Sequence, residues 1–507
     1  VIGHLLAQVA PSDLPPLVLP KVAYSAILPE IIVVVGALLV LAGSSLARRK
    51  GPAGIWALLT VLISMLAGAS SYRLWTRITD HGPFHAVADA VVVDGFSIFI
   101  FFVILTAVIL AALVADPYLR RENLDGPEFY VLMMLCASGG MLMAAANDLI
   151  VLFLGLEILS ISLYVLAGFH SRRAESREAA MKYFVLGAFS SALFLYGVAL
   201  VYGATGSTQL PEIAAFVANN VVVNNGVLLA GLVLLLVGLG FKVAAVPFHT
   251  WTPDVYQGAP SPVTGFMAAA AKAAGFAGLL RVFFSTFTLL RLDWQPLVWV
   301  LAVLTLVVGS VLALVQTDIK RMLAYSSISH AGYVLIGLQA GSSNGVAGSL
   351  FYLFTYTFMV LGSFAIITLI GRKGDGNHDL DAYRGLSTRR PALALAFTVF
   401  LLAQTGVPFT TGLWAKFYVI SAAVEAHSYA LALIAMLAAV VSAFFYLRVV
   451  VLMYTRDEGE SDAQALPRIR IPVTVGAALV VTVGFTILVG ILPSSLMTFA
   501  RHATLFL

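Results

Sequence analysis

Segments of about twenty apolar residues recur from one end of this sequence to the other, and each is long enough to cross a bilayer as a helix. Of 507 residues, 60% are hydrophobic and 11% charged, whereas a soluble domain carries about 25% charged residues. The chain reads as an all-α polytopic membrane protein. About fourteen spans are expected, near 26–47, 54–75, 95–115, 128–146, 149–169, 179–203, 226–256, 260–287, 295–315, 321–341, 346–371, 391–424, 429–454 and 470–493. The first twenty residues, with Pro11, Pro15, Pro16 and Pro20, have neither a basic start nor a cleavage site after an apolar core, so they do not read as a signal peptide. The single cysteine, Cys136, excludes a disulfide within the chain and reads as a small buried hydrophobe.

Basic residues in the loops set an orientation. Arg48-Arg49-Lys50, Arg120-Arg121, and Arg172, Arg173 and Arg177 fill the first, third and fifth loops. Lys320-Arg321, then Arg372, Lys373, Arg384, Arg389 and Arg390, then Arg456 and Arg468 follow on the same side. The alternate loops hold chiefly Arg77 and Arg291. An even number of spans then places both termini outside. One cytoplasmic loop, between spans seven and eight, has no Lys or Arg and carries His249 and Asp254. Eight lysines stand against twenty-one arginines, a usage that suggests a GC-rich bacterial genome. Four of the eight (Lys182, Lys242, Lys272 and Lys416) fall inside spans. Arginine stays protonated, whereas a buried lysine is able to give up its proton, so fixed structural charge does not explain this choice.

Two spans are too long. Span seven, of about 31 residues, measures about 46 Å as a single helix against a hydrocarbon core of about 30 Å, and span twelve is longer still. Each carries the same tripeptide near its middle, Val246-Pro247-Phe248 and Val407-Pro408-Phe409. Proline removes a helical hydrogen bond, and broken backbone is tolerated at membrane depth only where protein or a wet cavity surrounds it. Broken helices five spans apart imply two five-helix repeats of inverted topology, as in secondary transporters. The expected division is 1–127 (spans one to three), 128–287 and 288–454 (the repeats), and 455–507 (the last span and tail).

Ionisable residues inside spans are costly, so they normally serve a function. Glu157 follows Asp148 by nine residues and so lies about 14 Å along its helix, near the bilayer centre. Lys242 stands just before the first break, Lys272 midway along span eight, His330 one or two turns into span ten, and Lys416 past the second break. Lys242 and Lys272 are too deep to snorkel, and three lysines cannot all be neutralised by one central carboxylate. Glu178 and Lys182, spaced i,i+4, leave a local ion pair open beside a relay role for Lys182. For His330 and His249, a plain hydrogen-bonded role stays open, and Arg281 and Arg448, toward helix ends, read as structural. The chemistry that fits the central residues is proton relay. At an effective dielectric of about 20, two unit charges 6 Å apart interact by roughly 3 kcal/mol, enough to switch protonation near neutral pH.

No nucleotide-binding, P-loop, C-x-x-C or haem-grade histidine motif is present, so the energy for pumping would come from a partner or an ion gradient. The stretch Phe241-Lys242-Val-Ala-Ala-Val-Pro247-Phe248-His249-Thr-Trp251-Thr-Pro253-Asp254-Val-Tyr256-Gln-Gly258-Ala-Pro260, with Lys272-Ala-Ala-Gly275-Phe276, resembles the antiporter-like membrane subunits of proton-translocating NADH:quinone oxidoreductase (respiratory complex I). So does Gln316-Thr-Asp318-Ile-Lys320-Arg321-Met-Leu-Ala-Tyr325-Ser-Ser-Ile-Ser329-His330. The resemblance covers nearly the whole chain. Gly155-Leu-Glu157, Ala180-Met-Lys182-Tyr-Phe and a lysine at 416 are similar to the N (subunit 2) branch, in a bacterial form. Val407-Pro408-Phe409-Thr-Thr-Gly412 departs from the family's more usual Pro-Pro and small-residue run.

The resemblance implies that Glu157 pairs with Lys242, that Lys272 connects the two halves, that Lys416 is the lysine nearest the outer side, that His330 lies in a central polar line, and that Lys182 is the additional lysine of this branch. It further implies FMN, iron–sulfur clusters and quinone in partner subunits and none in this chain. The implied partners are other antiporter-like and small membrane subunits and the lipid of a bacterial plasma membrane, with no nucleic acid. The alternative is a subunit of a multi-subunit sodium/proton antiporter, which shares the fold.

Overall fold

Residues 22–46, 54–220, 225–376, 378–455, 470–503 and 505 are described by a computed structural model of the chain. The proline-rich start and the basic loop residues Arg48, Arg49, Lys50, Arg456 and Arg468 lie outside them. The spans are α1 (Leu28–Leu46), α2 (Ile55–His81), α3 (Gly95–Arg121), α4 (Glu128–Ala145), α5 (Leu149–Ala167), α6 (Ala174–Thr205), α7a (Gly226–Val243) with α7b (Trp251–Gly258), α8 (Ser261–Thr286), α9 (Arg291–Leu314), α10 (Ile319–Ala340), α11 (Ser343–Ile370), α12a (Pro391–Thr405) with α12b (Thr411–Glu425), α13 (Tyr429–Tyr454) and α14 (Val473–Ile491). Among the described residues twelve helices are individually long and apolar enough to cross a membrane. The other two expected spans are α10, which gives positions to Lys320, Arg321 and His330, and the broken α12. One departure from an all-helical chain is a small antiparallel hairpin, Phe84–Ala86 against Val91–Val93, between α2 and α3.

Both long spans break at their prolines. α7a ends at Val243 and α7b starts at Trp251, with Pro247 in the turn between. α12a ends at Thr405 and α12b starts at Thr411, with Pro408 in that turn. The freed backbone groups find partners, as hydrocarbon requires. Val246 N donates to Thr305 Oγ1 at 2.9 Å, and Trp251 Nε1 donates to Phe241 O at 3.1 Å.

The interior is built around α8, whose residues 261–283 are all buried, with α3, α4, α10 and α11 beside it. The rim helices turn Leu39, Met65, Phe189, Val440 and Val480 outward, an apolar belt suited to lipid or neighbouring helices. Small residues bring inner helices into backbone contact. A Cβ on Gly139 of α4 would lie 2.6 Å from Leu159 N of α5, and one on Gly309 of α9 would lie 2.5 Å from Ser329 N of α10. The same device thus recurs five spans apart.

Charges close the two ends of the bundle. At one end Arg281 of α8 is fully buried and bidentate on Asp94, at 2.9 and 3.0 Å, while its Nε donates to Ala144 O at 2.9 Å. Asp94 also caps α3, accepting from Ser97 N at 2.8 Å. At the other end the buried Asp375, in the loop after α11, accepts from Ser261 N and Oγ at 3.1 and 2.8 Å and lies 3.3 Å from Arg173 Nη1 and 3.6 Å from Lys320 Nζ. His378 Nε2 lies 3.2 Å from it. Loops expected on one side of the membrane therefore meet at one carboxylate. Burial pushes the Asp375 carboxyl up, but Lys320, His378 and Arg173 outweigh burial and hold it well below the usual carboxylate range.

Two outcomes are expected. Arg281→Leu takes the bidentate guanidinium away from the buried Asp94 carboxylate and lowers the stability of the detergent-solubilised protein by about 3 kcal/mol or more. Arg281→Leu with Asp94→Asn keeps the cap and recovers part of that loss in thermal melts. For Asp375 the folded value is depressed, so its contribution is fully present above about pH 4 and is lost as pH falls toward the folded value. Stability measured down that range falls in the native chain and is flatter in Asp375→Asn.

Candidate functional site

Lys242 sits in the last turn of α7a, where the helix ends on Ala244 in the left-handed conformation (φ 62°). Its Nζ donates to Ser160 Oγ at 2.9 Å and to Tyr183 OH at 3.0 Å, and it lies 5.2 Å from the Tyr183 ring centroid. Ser160 is one turn beyond Glu157 on α5, so the lysine reaches the face of the helix that carries the glutamate. The expected Glu157–Lys242 ion pair is not closed in this arrangement. The two hydroxyls take the ammonium, and Glu157 Oε1 is buried without a hydrogen-bond partner. The stem of Lys242 packs against α8 at Gly275, where a Cβ would lie 3.5 Å from Lys242 Cβ and 2.8 Å from Val243 Cγ1. Gly275 is one turn from Lys272, so the close approach brings the two lysine-bearing helices together.

Lys272 begins a regular stretch of α8 directly after a wider, π-helical turn at Met267–Ala271. Such turns re-aim side chains and recur at functional positions. Its Nζ donates to both oxygens of Ser327 on α10, to the carbonyl at 2.5 Å and to Oγ at 2.6 Å. Ser327 is one turn before His330. The pattern of α5 is repeated in reverse order: a serine one turn from the ionisable residue receives the lysine. His330 is buried, with Nδ1 2.6 Å from Tyr352 OH and Nε2 3.0 Å from Tyr446 OH.

Lys416 lies on α12b and reaches back across the break. Its Nζ donates to Thr405 O at 2.7 Å, a carbonyl at the C-terminal end of α12a, where helices leave acceptors unpaired and the dipole is negative. The ammonium also lies 4.8 Å from the Tyr333 ring centroid, and Tyr333 stacks on Tyr352, the partner of His330. Tyr352 and Tyr333 thus join His330 to Lys416, while Lys242 and Lys272 each rest on a serine of the facing helix. Among the described residues no carboxylate comes within 4 Å of any of the three lysine Nζ atoms. Hydroxyls and carbonyls carry no net charge, so they bind an amine in either protonation state, whereas a carboxylate in contact favours the cation.

Lys182 is different. Its side chain is 42% exposed and pairs with Glu178 at 2.8 Å and Asp254 at 2.7 Å. Asp254 also holds Arg321 at 2.7 Å. The local ion pair left open for Glu178 and Lys182 is therefore formed, at the Asp375 end of the bundle and outside the buried line. Physically, Lys182 is only two turns into α6, within reach of α7b. Lys182, Glu178 and Asp254 border a cleft of about 330 Å³ that also touches Arg173, Asp318 and His378. His249 lies partly buried in the α7 turn, and Asp254, expected beside it in a loop, is one turn further on within α7b. Arg281 is structural, as expected, through Asp94. Sequence reasoning missed Ser160, Tyr183, Ser327, Tyr352 and Tyr446. Their signal was a hydroxyl one turn from an ionisable residue, or a tyrosine deep in an apolar span.

A family model described as NADH:quinone oxidoreductase/Mrp antiporter, TM, matches residues 146–442. NADH-quinone oxidoreductase subunit N of Trichlorobacter lovleyi is 45% identical over 477 residues, covering 94% of this chain and 96% of the relative. A chain of respiratory complex I from Thermus thermophilus, solved with bound aureothin, is 34% identical and superposes with a TM-score of 0.78 over 93% of this chain and 98% of its own. A chain of the Mrp complex from Dietzia sp. DQ12-45-1b shares the fold, with a TM-score of 0.81 at 19% identity over 95% of this chain and 97% of its own. On this identity and coverage, and with its broken helices and buried lysines in place, the chain belongs to the NADH-quinone oxidoreductase subunit N family of complex I membrane subunits.

Proposed function

We propose that the chain moves protons through Glu157, Lys242, Lys272, His330 and Lys416, driven by electron transfer from NADH to quinone in partner subunits. The observation that carries the reading is the three buried ammonium groups served by hydroxyls and carbonyls with no carboxylate in contact. A fixed structural charge at such depth would be paired. A charge that comes and goes needs partners suited to both of its states. Ser160 and Tyr183 serve Lys242, Ser327 serves Lys272, and the α12 break serves Lys416. Protonation of Lys272 makes a proton on a neighbouring lysine or on His330 harder to keep, and this repulsion passes charge along the line.

Glu157, with one oxygen unpartnered, is placed to attract Lys242 when the hydroxyls release it. Lys182, Glu178 and Asp254 form a charged mouth at the end with more basic loops, and His249 lies in the break between mouth and line. The chain divides into inverted halves 128–287 and 288–454, supported by breaks and close glycine contacts five spans apart. It lies in a bacterial plasma membrane with both termini outside, and FMN, iron–sulfur clusters and quinone belong to partner subunits.

Affinity purification of the tagged chain in mild detergent tests the assembly: NADH:quinone activity sensitive to a quinone-site inhibitor should co-purify. Recovery with other antiporter-like chains and sodium-dependent transport, without that activity, would turn the assignment to the Mrp-type alternative. In sealed vesicles Lys242→Ala and Lys272→Ala should each lower NADH-driven acidification per assembled complex by about tenfold or more, the scale of a lost proton-transfer group. Lys182→Ala should cost about twofold or less, since exposed ion pairs contribute little. Full acidification by an assembled Lys242→Ala complex would remove the relay role.

A further inference from the structure

Gln404, on the last turn of α12a, is 1% exposed and is not used by the relay as described above. Its orientation is fixed by its neighbours. One end of the amide lies 3.3 Å from the carbonyl of Phe400 and 2.9 Å from Ser363 Oγ. A backbone carbonyl only accepts, so that end is the NH2 group, and the oxygen faces the other way, 3.4 Å from Tyr446 OH.

Tyr446 has three polar neighbours: Gln404 Oε1, His330 Nε2 and Ser326 Oγ. Its hydroxyl has one proton to donate and two lone pairs to accept with. Gln404 Oε1 has no proton of its own, so all three contacts are satisfied in one way only. Tyr446 donates to Gln404, and both Ser326 and His330 donate to Tyr446. His330 then carries its proton on Nε2 when neutral, and Nδ1 accepts from Tyr352 OH at 2.6 Å. The residue after Gln404 is Thr405, whose carbonyl holds Lys416 Nζ at 2.7 Å. The side chain of one residue and the backbone of the next thus connect His330 and Lys416 through the broken end of α12a.

We propose that Gln404 is a positioning residue that keeps the Nε2–H of His330 directed through Tyr446 toward the α12 break and Lys416. The inference rests on the relay reading above. At 3.4 Å the Tyr446–Gln404 bond is long, and a second proton on His330 shortens it, because hydrogen bonds in a chain polarise one another. Lys416 leaving Thr405 O frees the last turn of α12a, and with it the backbone that carries Gln404.

The test uses the assembled complex in inside-out vesicles, reading NADH-driven acidification per complex. Gln404→Leu keeps the shape and removes the acceptor, and Gln404→Glu, kept neutral by burial, retains an acceptor oxygen toward Tyr446 and an O–H donor toward Phe400 O or Ser363 Oγ. Tyr446→Phe removes the donor. Gln404→Leu and Tyr446→Phe should each lower pumping by about tenfold. The double variant should be no worse than either single, since both break one chain. Gln404→Glu should pump within about twofold of the native complex. If Gln404→Leu does not assemble, Tyr446→Phe carries the test with Gln404→Glu. Native pumping by Gln404→Leu or by Tyr446→Phe beside a defective Lys416→Ala overturns this inference alone. Equal loss in Gln404→Leu and Gln404→Glu, or additive losses in the double variant, assigns Gln404 to packing and also overturns it. Native pumping by both Lys242→Ala and Lys416→Ala overturns the relay reading, and this inference with it.

Discussion

Three ammonium groups held inside apolar helices by hydroxyl and carbonyl oxygens are the constraint on which the interior depends. An unpaired charge in a dry medium is expensive, so each Nζ must find oxygens that the regular backbone of a helix does not offer freely. The fold supplies them in two ways. Serines one turn from Glu157 and His330 face Lys242 and Lys272. The end of a broken helix leaves a carbonyl for Lys416. A continuous α12 would close that carbonyl into its own ladder. The break is therefore part of the charge chemistry as well as an answer to excess length.

Charge at the two ends of the bundle is handled in the opposite manner. Arg281 and Asp94 lock into a bidentate pair, and Asp375 gathers Lys320, Arg173, His378 and Ser261. These contacts bring carboxylates to cations, which favours permanent ionisation and rigid closure. The residue types follow the division. The bidentate partner is an arginine, whose charge does not leave it, and the three central groups are lysines.

Much of this was legible in the sequence. Apolar length located fourteen spans, because hydrocarbon admits few other backbone conformations. Pro247 and Pro408 located the breaks, since proline removes the same bond wherever it stands. The deep lysines announced themselves by the cost of placing them there. The hairpin after α2 was missed, its two three-residue strands being too short to show a pattern. Lys182 stood among apolar residues like the others, and only its distance from the helix start separated an exposed ion pair from a buried ammonium group.

Partners were beyond the sequence. The side chains that meet Lys242, Lys272 and His330 come from 55 to 116 positions away, except Tyr352, which lies on the next helix. A pairing of that kind depends on helix rotation and closeness, set here by glycines such as Gly275 and by the π-helical turn before Lys272. The sequence alone determined which charges enter the membrane and where its helices break, because both follow from the local cost of leaving water. The tertiary structure alone decided that the charges face hydroxyls rather than carboxylates, and which amide points at Tyr446, because hydrogen-bond direction exists only once the helices have packed.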